Sequence, residues 1–296
     1  MIQVLDLQFL NHANVIAAFL VETEEGLILL ETGPYSTFEH LSQLLIQKGY
    51  QISDVKHVFL THIHLDHAGA AWAFAQAGAK IYVHPLGQKH LHQPEKLWNS
   101  AKMIYQDKME FLWGAMQGIA AEQLQVVQHG ETFSVGEVRI QGWHTPGHAV
   151  HHIAWQIEDA LICGDVAGVR IGNGIVVPPC PPPDINIEDW QQSLRLIRSL
   201  PIKKLYLTHY GVFTDVDTHL SDLEKRLLDY ANWILPYFEA QRSPQEITPL
   251  FQQYVREALL KNGIREEEQL LLYENANPSW MSVSGLLRYW QKKRGN

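Results

Sequence analysis

The stretch Thr61-His62-Ile63-His64-Leu65-Asp66-His67-Ala68-Gly69 places three histidines and an aspartate within six positions. It follows residues 55–60, a β-branched and aromatic run that is predicted to form a buried strand. In extended chain, His62 and His64 lie two residues apart and project to the same side. A turn at Leu65 would then place Asp66 and His67 at the start of a helix over 68–77. Each half of the motif can therefore bind one of two adjacent metal ions.

The composition limits the class of protein. Of 296 residues, 46% are hydrophobic and 19% charged, which is typical of a soluble globular protein. The net charge of −9 argues against a nucleic-acid partner. Because there is no basic N-terminal region followed by an apolar core, and no run of about 18 apolar residues, we expect a cytoplasmic protein that does not bind membranes. The expected partner is a small-molecule substrate, and a homodimer is left open. Cys163 and Cys180 form no disulfide framework.

The chain divides into a strand-rich part and a helical part. Residues 1–214 are predicted to form a metal-binding domain, and 215–296 a C-terminal helical extension. Within the first part, strands are predicted over 9–22 and 27–32, and a helix over 38–49. Residues from 85 to about 124 have helical spacing and no clear strand, so we interpret them as a helical insertion that caps the site. The alternative is that the insertion only completes an outer helix layer.

Three later predicted strands also run directly into histidine or aspartate. Residues 138–143 lead into Thr145-Pro146-Gly147-His148, 160–163 into Gly164-Asp165, and 204–207 into Thr208-His209. Since parallel-sheet architectures gather ligands at the carboxyl ends of their strands, these side chains should converge. The candidate metal ligands are His62, His64, Asp66, His67, His148, Asp165 and His209. Imidazole with carboxylate suits zinc, and also iron or manganese, whereas the lack of cysteine ligands argues against a closed structural zinc site.

In this order, the motifs resemble those of the metallo-β-lactamase-fold hydrolase superfamily, in its binuclear branch with glyoxalase II and lactonases. The resemblance covers residues 1 to about 212. It implies an α/β fold, an αββα sandwich of two mixed β-sheets flanked by helices, to which this chain would add its insertion and its helical extension. It also implies two divalent metal ions, with zinc the first choice and iron or manganese the alternatives. His62, His64 and His148 resemble the ligands of one ion, Asp66, His67 and His209 those of the other, and Asp165 the bridging carboxylate.

One position departs from the family pattern. The chain has Glu31-Thr32-Gly33 where the family usually has Asp-Thr-Gly. We expect the longer carboxylate of Glu31 still to orient a metal ligand. His152, four residues after His148, is interpreted as a structural or ligand-orienting histidine rather than a ligand.

The ligand set predicts a hydrolytic mechanism. Two divalent ions about 3.5–4 Å apart can share a water and lower its pKa, which gives a bridging hydroxide nucleophile. Asp66 is the expected catalytic residue, because it can bind a metal and also orient the nucleophile. Arg170 could bind a substrate carboxylate or phosphate, although a solvated loop arginine is an equal alternative. Tyr210 could donate to a developing oxyanion or only pack.

The sequence is compatible with three functions. The leading one is hydrolysis of a small ester-like bond: a thioester, a lactone or a carboxylic ester. The aromatic and methionine-rich segment 97–116 would then suit an apolar acyl group, and substitution of Trp98 or Trp113 would test this. The alternatives are a phosphodiesterase with the same ligands and a mononuclear iron, persulfide-dioxygenase-like oxidoreductase that uses only His62, His148 and Asp165. The extension could line the substrate entrance, form a dimer interface or finish the outer layer.

Overall fold

Two mixed sheets of six strands each form the centre of the protein in the computed structural model, which describes residues 1–295. The first sheet contains, in spatial order, β1 (Gln3–Asp6), β2 (Ala17–Thr23), β3 (Gly26–Leu30), β4 (Val55–Phe59), β5 (Lys80–Val83) and β6 (Leu124–Val126). The second contains β7 (Thr132–Val135), β8 (Val138–His144), β9 (Ile153–Ile157), β10 (Ala160–Gly164), β11 (Lys204–Leu207) and β12 (Gly211–Phe213). Strands β3 to β6 are parallel, as are β10 and β11, and the other pairs are antiparallel.

Eleven α-helices surround the sheets within residues 1–295. They are α1 (Phe38–Gln47), α2 (Leu65–Ala68), α3 (Ala71–Gln76), α4 (Pro85–His92), α5 (Glu95–Tyr105), α6 (Met109–Trp113), α7 (Ile187–Ser199), α8 (Val216–Glu239), α9 (Pro244–Lys261), α10 (Glu267–Ala276) and α11 (Ser279–Arg294). In this part of the chain, no helix combines the length and apolar character needed to span a bilayer.

Alternating side chains along the strands divide the interior into three apolar layers. In β2, Phe19 faces the core between the two sheets, whereas Ala18 and Leu20 face the helices outside the first sheet. In β10, Ile162 faces the same inner core, and Cys163 faces the helices outside the second sheet. Successive strand residues point to opposite faces, so both sheets are covered on both sides. The predicted αββα sandwich is confirmed.

The insertion contributes to the outer layer of the first sheet. Helices α4 to α6 occupy residues 85–113, and Leu91, Met109 and Trp113 join the apolar core there. The Trp113 ring is stacked on that of Phe9, with the centroids 5.7 Å apart. The insertion therefore completes a helix layer, as the alternative interpretation proposed. Its approach to the site through Tyr105 is described below.

The first predicted strand was wrong in its N-terminal half. Residues 9–22 are not one strand, because Phe9–Asn11 forms a 3-10 turn and β2 begins only at Ala17. The backbone of Gln8, Leu10 and Asn14 has positive φ, which an extended strand excludes. Both Gln8 and Asn14 donate their backbone N–H to the Asp6 carboxylate, at 2.9 Å each. This side chain of β1, a strand that was not predicted, therefore holds the loop.

The helix predicted over 68–77 is divided into α2 and α3. The backbone N–H of Ala70 donates to the Gly33 carbonyl at 3.0 Å instead of continuing one helix. Gly69 also lies against this segment, because a Cβ there would be 3.0 Å from the Cα of Pro34. The short α2 is thereby fixed against the chain that follows β3, and it carries Asp66 and His67.

Candidate metal centre

The seven candidate ligands come together at one end of the sandwich. His62 and His64 follow β4, Asp66 and His67 lie in α2, His148 follows β8, Asp165 follows β10 and His209 follows β11. Strands β8, β10 and β11 run in one direction, so their carboxyl ends share one edge. The two sheets are joined there by two backbone hydrogen bonds, from Ile153 N to Thr61 O at 2.7 Å and from Ala17 N to Thr208 O at 2.9 Å.

Three overlapping groups have ligand atoms within 4.8 Å of one another. They are His62 with His64 and His148, His62 with His67 and Asp165, and Asp66 with His67 and His209. The first and third are the two sets that the family resemblance implied. The second joins the two sets through Asp165.

The first set consists of three histidines whose ring nitrogens converge. Nε2 of His62 and Nε2 of His148 each lie 3.0 Å from Nδ1 of His64. Burial, with the charge of His148, lowers the pKa of His64 to about 3, and burial also lowers the pKa of His62 and His148. Neutral imidazoles present lone pairs, and three of them at this spacing suit a tetrahedral ion with bonds of about 2.0–2.1 Å.

The second set combines a carboxylate with two histidines. Oδ2 of Asp66 lies 3.4 Å from Nε2 of His209 and 3.7 Å from Nε2 of His67. Burial alone would raise the pKa of Asp66, but His67 and His209 lower it to about 2. Burial alone would likewise lower the pKa of His67, but the carboxylates of Asp66 and Asp165 raise it well above its usual value. Asp66 is therefore ionised at neutral pH and available as a ligand.

Asp165 lies between the two sets and directs one oxygen to each. Its Oδ2 is 3.2 Å from Nε2 of His148, while its Oδ1 is 3.4 Å from Nε2 of His67 and 3.5 Å from Nε2 of His209. This is the geometry of a carboxylate that can bridge two ions.

The outer ring nitrogens of three histidines have partners that fix the rings. Nδ1 of His148 donates to Pro179 O at 2.9 Å and Nδ1 of His209 to Val15 O at 2.7 Å, while Nδ1 of His62 lies 3.0 Å from Thr61 Oγ1. Nδ1 of His67 faces Oε2 of Glu31 at 3.4 Å, an ion-pair distance without hydrogen-bond geometry. A partner on the outer nitrogen sets the tautomer and leaves the inner nitrogen for a metal. Glu31 has the position expected of a ligand-orienting carboxylate.

Several buried polar atoms at this site have no hydrogen-bond partner within residues 1–295. They are both carboxylate oxygens of Glu31, both ring nitrogens of His67, Oδ1 of Asp165 and Nε2 of His209. Buried polar atoms are nearly always paired, because an unpaired one costs free energy. These atoms belong to imidazoles and carboxylates that lie together, and this donor set fits divalent metal ions such as zinc.

His152 supports the loop that carries Asp165. It accepts the backbone N–H of Asp165 at Nε2, at 3.2 Å, and its Nδ1 lies 2.8 Å from Thr145 Oγ1. Gly164 must be glycine here, because its φ is +50° and a Cβ would lie 2.4 Å from Thr61 Oγ1. His152 thus has the position expected for a ligand-orienting residue.

The structure does not support the anion-binding role predicted for Arg170. Its Nε donates to Gly174 O at 3.0 Å, and its Nη1 donates to the Asp215 carboxylate at 2.9 and 3.0 Å. Its Cζ lies 4.3 Å from the ring centroid of Phe213. These contacts tie the loop after β10 to β12 and the start of α8, and they occupy the guanidinium.

Tyr210 is placed beside the site, but its hydroxyl has a partner. It donates to Oδ2 of Asp6 at 2.8 Å, so it is not free to donate to an oxyanion. The side chain helps to line a cavity of about 600 Å³, together with residues of the loops after β10 and β11 and the start of α10. Tyr210 can therefore contact a substrate through its ring, whereas the predicted donor role requires the Asp6 contact to break.

The site opens on the side of His64 and Asp66, the two ligands that are not fully buried. Tyr105, at the end of α5, lies near this opening. Burial raises the pKa of its hydroxyl, and the charge of the Asp66 carboxylate raises this pKa further. Its ring centroid lies 5.0 Å from that of Trp113 and 5.8 Å from that of Trp280 in α11. Tyr105 lies within the segment 97–116 that the sequence analysis assigned to an apolar substrate, although it was not singled out there, whereas Trp280 was not identified because it belongs to no motif.

His151 was also missed, although it precedes His152 in the sequence. It is buried, its ring is nearly parallel to that of His62 at 6.1 Å and edge-on to that of His64 at 5.7 Å. Its Nδ1 is buried without a partner within the described residues, and its Nε2 lies 4.0 Å from Asp184 Oδ2. The pair of adjacent histidines after His148 was the only signal for it.

Comparison with known proteins identifies the family. The family model for the metallo-beta-lactamase superfamily matches residues 13–209. The metallo-beta-lactamase fold-containing protein ST1585 of Sulfurisphaera tokodaii is 29% identical over 178 residues, which are 58% of this chain and 67% of that protein. Thioesterase pkgB of Emericella nidulans is 26% identical over 193 residues, 64% of this chain but only 44% of the thioesterase. In the solved structures, the metallo-beta-lactamase family protein TTHA1429 of Thermus thermophilus has a TM-score of 0.66 at 20% identity and covers 95% of this chain and 89% of its own. The family model covers more than half of the chain, and the fold and the ligand geometry agree with it. The chain therefore belongs to the metallo-beta-lactamase superfamily.

Proposed function

We propose that this protein is a hydrolase that uses two divalent metal ions, with zinc the first choice, to cleave a small ester-like substrate. A thioester is preferred to a lactone or a carboxylic ester. The observation that carries the proposal is Asp165, whose two oxygens face the two ligand sets. The likeness to a protein named as a thioesterase supports the thioester. Because the chain spans less than half of that relative, the substrate is inferred from the site as well.

The ligands divide the catalytic tasks among the residues of the chain. Metal ions bound there would supply Lewis acidity and a water of lowered pKa. Asp66, whose side chain is 24% exposed, is the ionised carboxylate at the opening and can orient the attacking water by accepting a hydrogen bond from it. The carbonyl groups of Pro179 and Val15 hold His148 and His209 in place, so little reorganisation is needed during the reaction.

The opening favours a substrate with an apolar acyl group. Tyr105 lies close enough to Asp66 for that carboxylate to raise its pKa, and its ring centroid is 5.8 Å from that of Trp280, so the two rings can cover such a group. Trp113 was expected to make this contact, but it is 8% exposed and stacked in the core on Phe9. We therefore transfer the proposed acyl contact from the tryptophans of the insertion to Tyr105 and Trp280.

The charges near the site disfavour a phosphodiester. The cavity beside Tyr210 is lined by the carboxylates of Glu266 and Glu268 and by no lysine or arginine among the described residues. The nearby Arg170 is already paired with Asp215. In this cavity a phosphodiester would find no cationic side chain to add to the charge of the metal ions.

Metal counting combined with a substrate panel tests the proposal. Metal-free protein is reloaded with Zn²⁺, Mn²⁺ or Fe²⁺, and the bound metal is counted by elemental analysis. Each form is then assayed on thioesters, lactones and phosphodiesters. We expect two equivalents of metal and hydrolysis of the ester-like substrates, which chelators abolish. A single iron with oxidation of a persulfide, or a preference for phosphodiesters, would overturn the proposal.

A further inference from the structure

The loop 178–183 carries the carbonyl group that orients His148. Pro179 O accepts the Nδ1–H of His148 at 2.9 Å, while Nε2 of that ring faces Asp165 and His64. This hydrogen bond fixes the tautomer in which Nε2 is free to bind a metal. The position of the Pro179 carbonyl therefore matters for the first ligand set.

The loop can make very few backbone hydrogen bonds of its own. Five of its six residues are prolines, so Cys180 alone offers a backbone N–H. That N–H donates to the hydroxyl oxygen of Ser282 in α11, at 3.3 Å. The single backbone donor of the loop is thus used to bind the C-terminal helix rather than a strand of the sandwich.

Residues at the C-terminal end of the chain also hold the carbonyl groups of the loop. Asn277 Nδ2 donates to Pro178 O at 3.2 Å, and both Arg288 Nε, at 3.3 Å, and Lys292 Nζ, at 2.7 Å, donate to Pro183 O. Ser282 in turn donates to Oδ1 of Asn277 at 3.1 Å, which links the two anchoring side chains. The loop is therefore fixed at both ends by the segment 277–292.

Gly285 allows α11 to approach the loop backbone to backbone. A Cβ at this position would lie 2.0 Å from Cys180 O and 2.7 Å from the carbonyl carbon of Pro181. Both are backbone atoms, so they cannot move aside as the end of a flexible side chain can. Any side chain at 285 must displace either the helix or the loop.

We propose that α11 is a positioning element of the metal centre, which sets the orientation of His148 through Ser282, Gly285 and the Pro179 carbonyl. The extension is then required for tight binding of the metal held by His62, His64 and His148. The inference rests on the metal centre proposed above and is independent of the substrate.

Metal affinity in two matched serine variants tests this role. Ser282→Ala removes the acceptor of the Cys180 N–H, whereas Ser284→Ala removes a hydroxyl on the same helix that only donates to Trp280 O, at 2.8 Å. Metal-free proteins are titrated with Co²⁺ and Zn²⁺ against a chelator, and the Co²⁺ absorption spectrum is recorded. Loss of an orienting contact weakens metal binding about 10–100-fold, and we expect at least the lower value at one of two sites in Ser282→Ala. Ser284→Ala should match the wild type.

Gly285→Ala is the stronger perturbation, and it needs a folding control. Circular dichroism and thermal unfolding of the metal-free forms show whether each variant is folded. Weaker binding of one metal and an altered Co²⁺ spectrum in folded Ser282→Ala, with a larger effect in Gly285→Ala, support the proposal. A lowered melting temperature with unchanged metal affinity and spectrum would show that α11 only stabilises the fold, and this would overturn it. A wild-type protein that binds no metal would overturn the metal centre itself, and the inference with it.

Discussion

Replacing Glu31 with glutamine would remove a buried negative charge beside His67 with almost no change in side-chain size. Glu31 is fully buried, its Oε2 lies 3.4 Å from Nδ1 of His67, and neither of its oxygens has a hydrogen-bond partner among residues 1–295. If the carboxylate holds the Nδ1–H of His67, it keeps Nε2 directed at the metal and makes the imidazole a stronger donor. The Glu31→Gln variant should therefore bind the metal of the Asp66, His67 and His209 set more weakly.

The magnitude follows from what the substitution leaves behind. Removing an outer partner of a metal-bound histidine costs about 10–100-fold in metal affinity, which corresponds to roughly 1.4–2.7 kcal/mol. The amide oxygen of glutamine can still accept the Nδ1–H, so we expect the lower end, about tenfold. Glu31→Asp keeps the charge but shortens the side chain by one C–C bond, about 1.5 Å. The distance from the carboxylate to Nδ1 of His67, which is 3.4 Å in the wild type, would then exceed ion-pair range. Both variants should weaken the same metal.

The assay is chelator competition on the metal-free proteins, with elemental analysis at saturation. Glu24→Gln is the matched control, because it removes an exposed carboxylate from the turn between β2 and β3 and changes the net charge equally. Glu31→Gln with the affinity of the wild type for both metals would refute the reasoning. Equal weakening by Glu24→Gln would show that net charge, rather than the contact with His67, is responsible.

Three further outcomes are expected. Asp165→Ala should lose metal and hydrolysis together, and retention of two equivalents by elemental analysis would contradict a bridging role. Metal binding should release protons, because the carboxylates raise the pKa of His67 and His209 above the ordinary histidine value, against the effect of burial, and a metal displaces the protons that those rings bind. Calorimetry in buffers of different ionisation enthalpy should show that fewer protons are released as the pH rises above those pKa values. A proton release that does not depend on pH would contradict the assignment. Tyr105→Ala should lower kcat/KM for long-chain acyl substrates by roughly tenfold, about 1–2 kcal/mol of aromatic contact, and for short-chain ones far less; an equal loss on both would argue against an acyl contact.

The sequence was sufficient to predict the architecture wherever local pattern and burial agree. The strand before His62 and the helix over 38–49 were predicted closely, since an apolar run or a regular helical spacing decides each of them. The segment 9–22 failed because its conformation is set by a side chain outside it. The Asp6 carboxylate holds Gln8 and Asn14 in left-handed backbone conformations that no pattern within the segment encodes.

The ligands were predictable for a different reason than their supports. A metal needs particular side chains, and these stand at strand ends where their spacing can be read. The groups that orient them are mostly backbone carbonyls, such as those of Val15 and Pro179, which any residue could provide. Glu31 was recognised only because it stands within a motif. Trp113 was misjudged because composition does not show which face of a short helix is buried.

The boundary predicted at residue 214 marks where the recognisable motifs end, but the contacts that hold the ligand-bearing loops continue well beyond it. Gln269 and Tyr273 of α10 donate to Ile171 O and Ile175 O, in the loop that follows Asp165. Residues 277–292 hold the loop that orients His148. Both loops next to the bridging carboxylate and the first ligand set therefore depend on helices without any metal-binding motif. The motifs are enough to place the chain in its superfamily, whereas on our proposal the precision of the site, and with it the retention of metal, requires the extension as well.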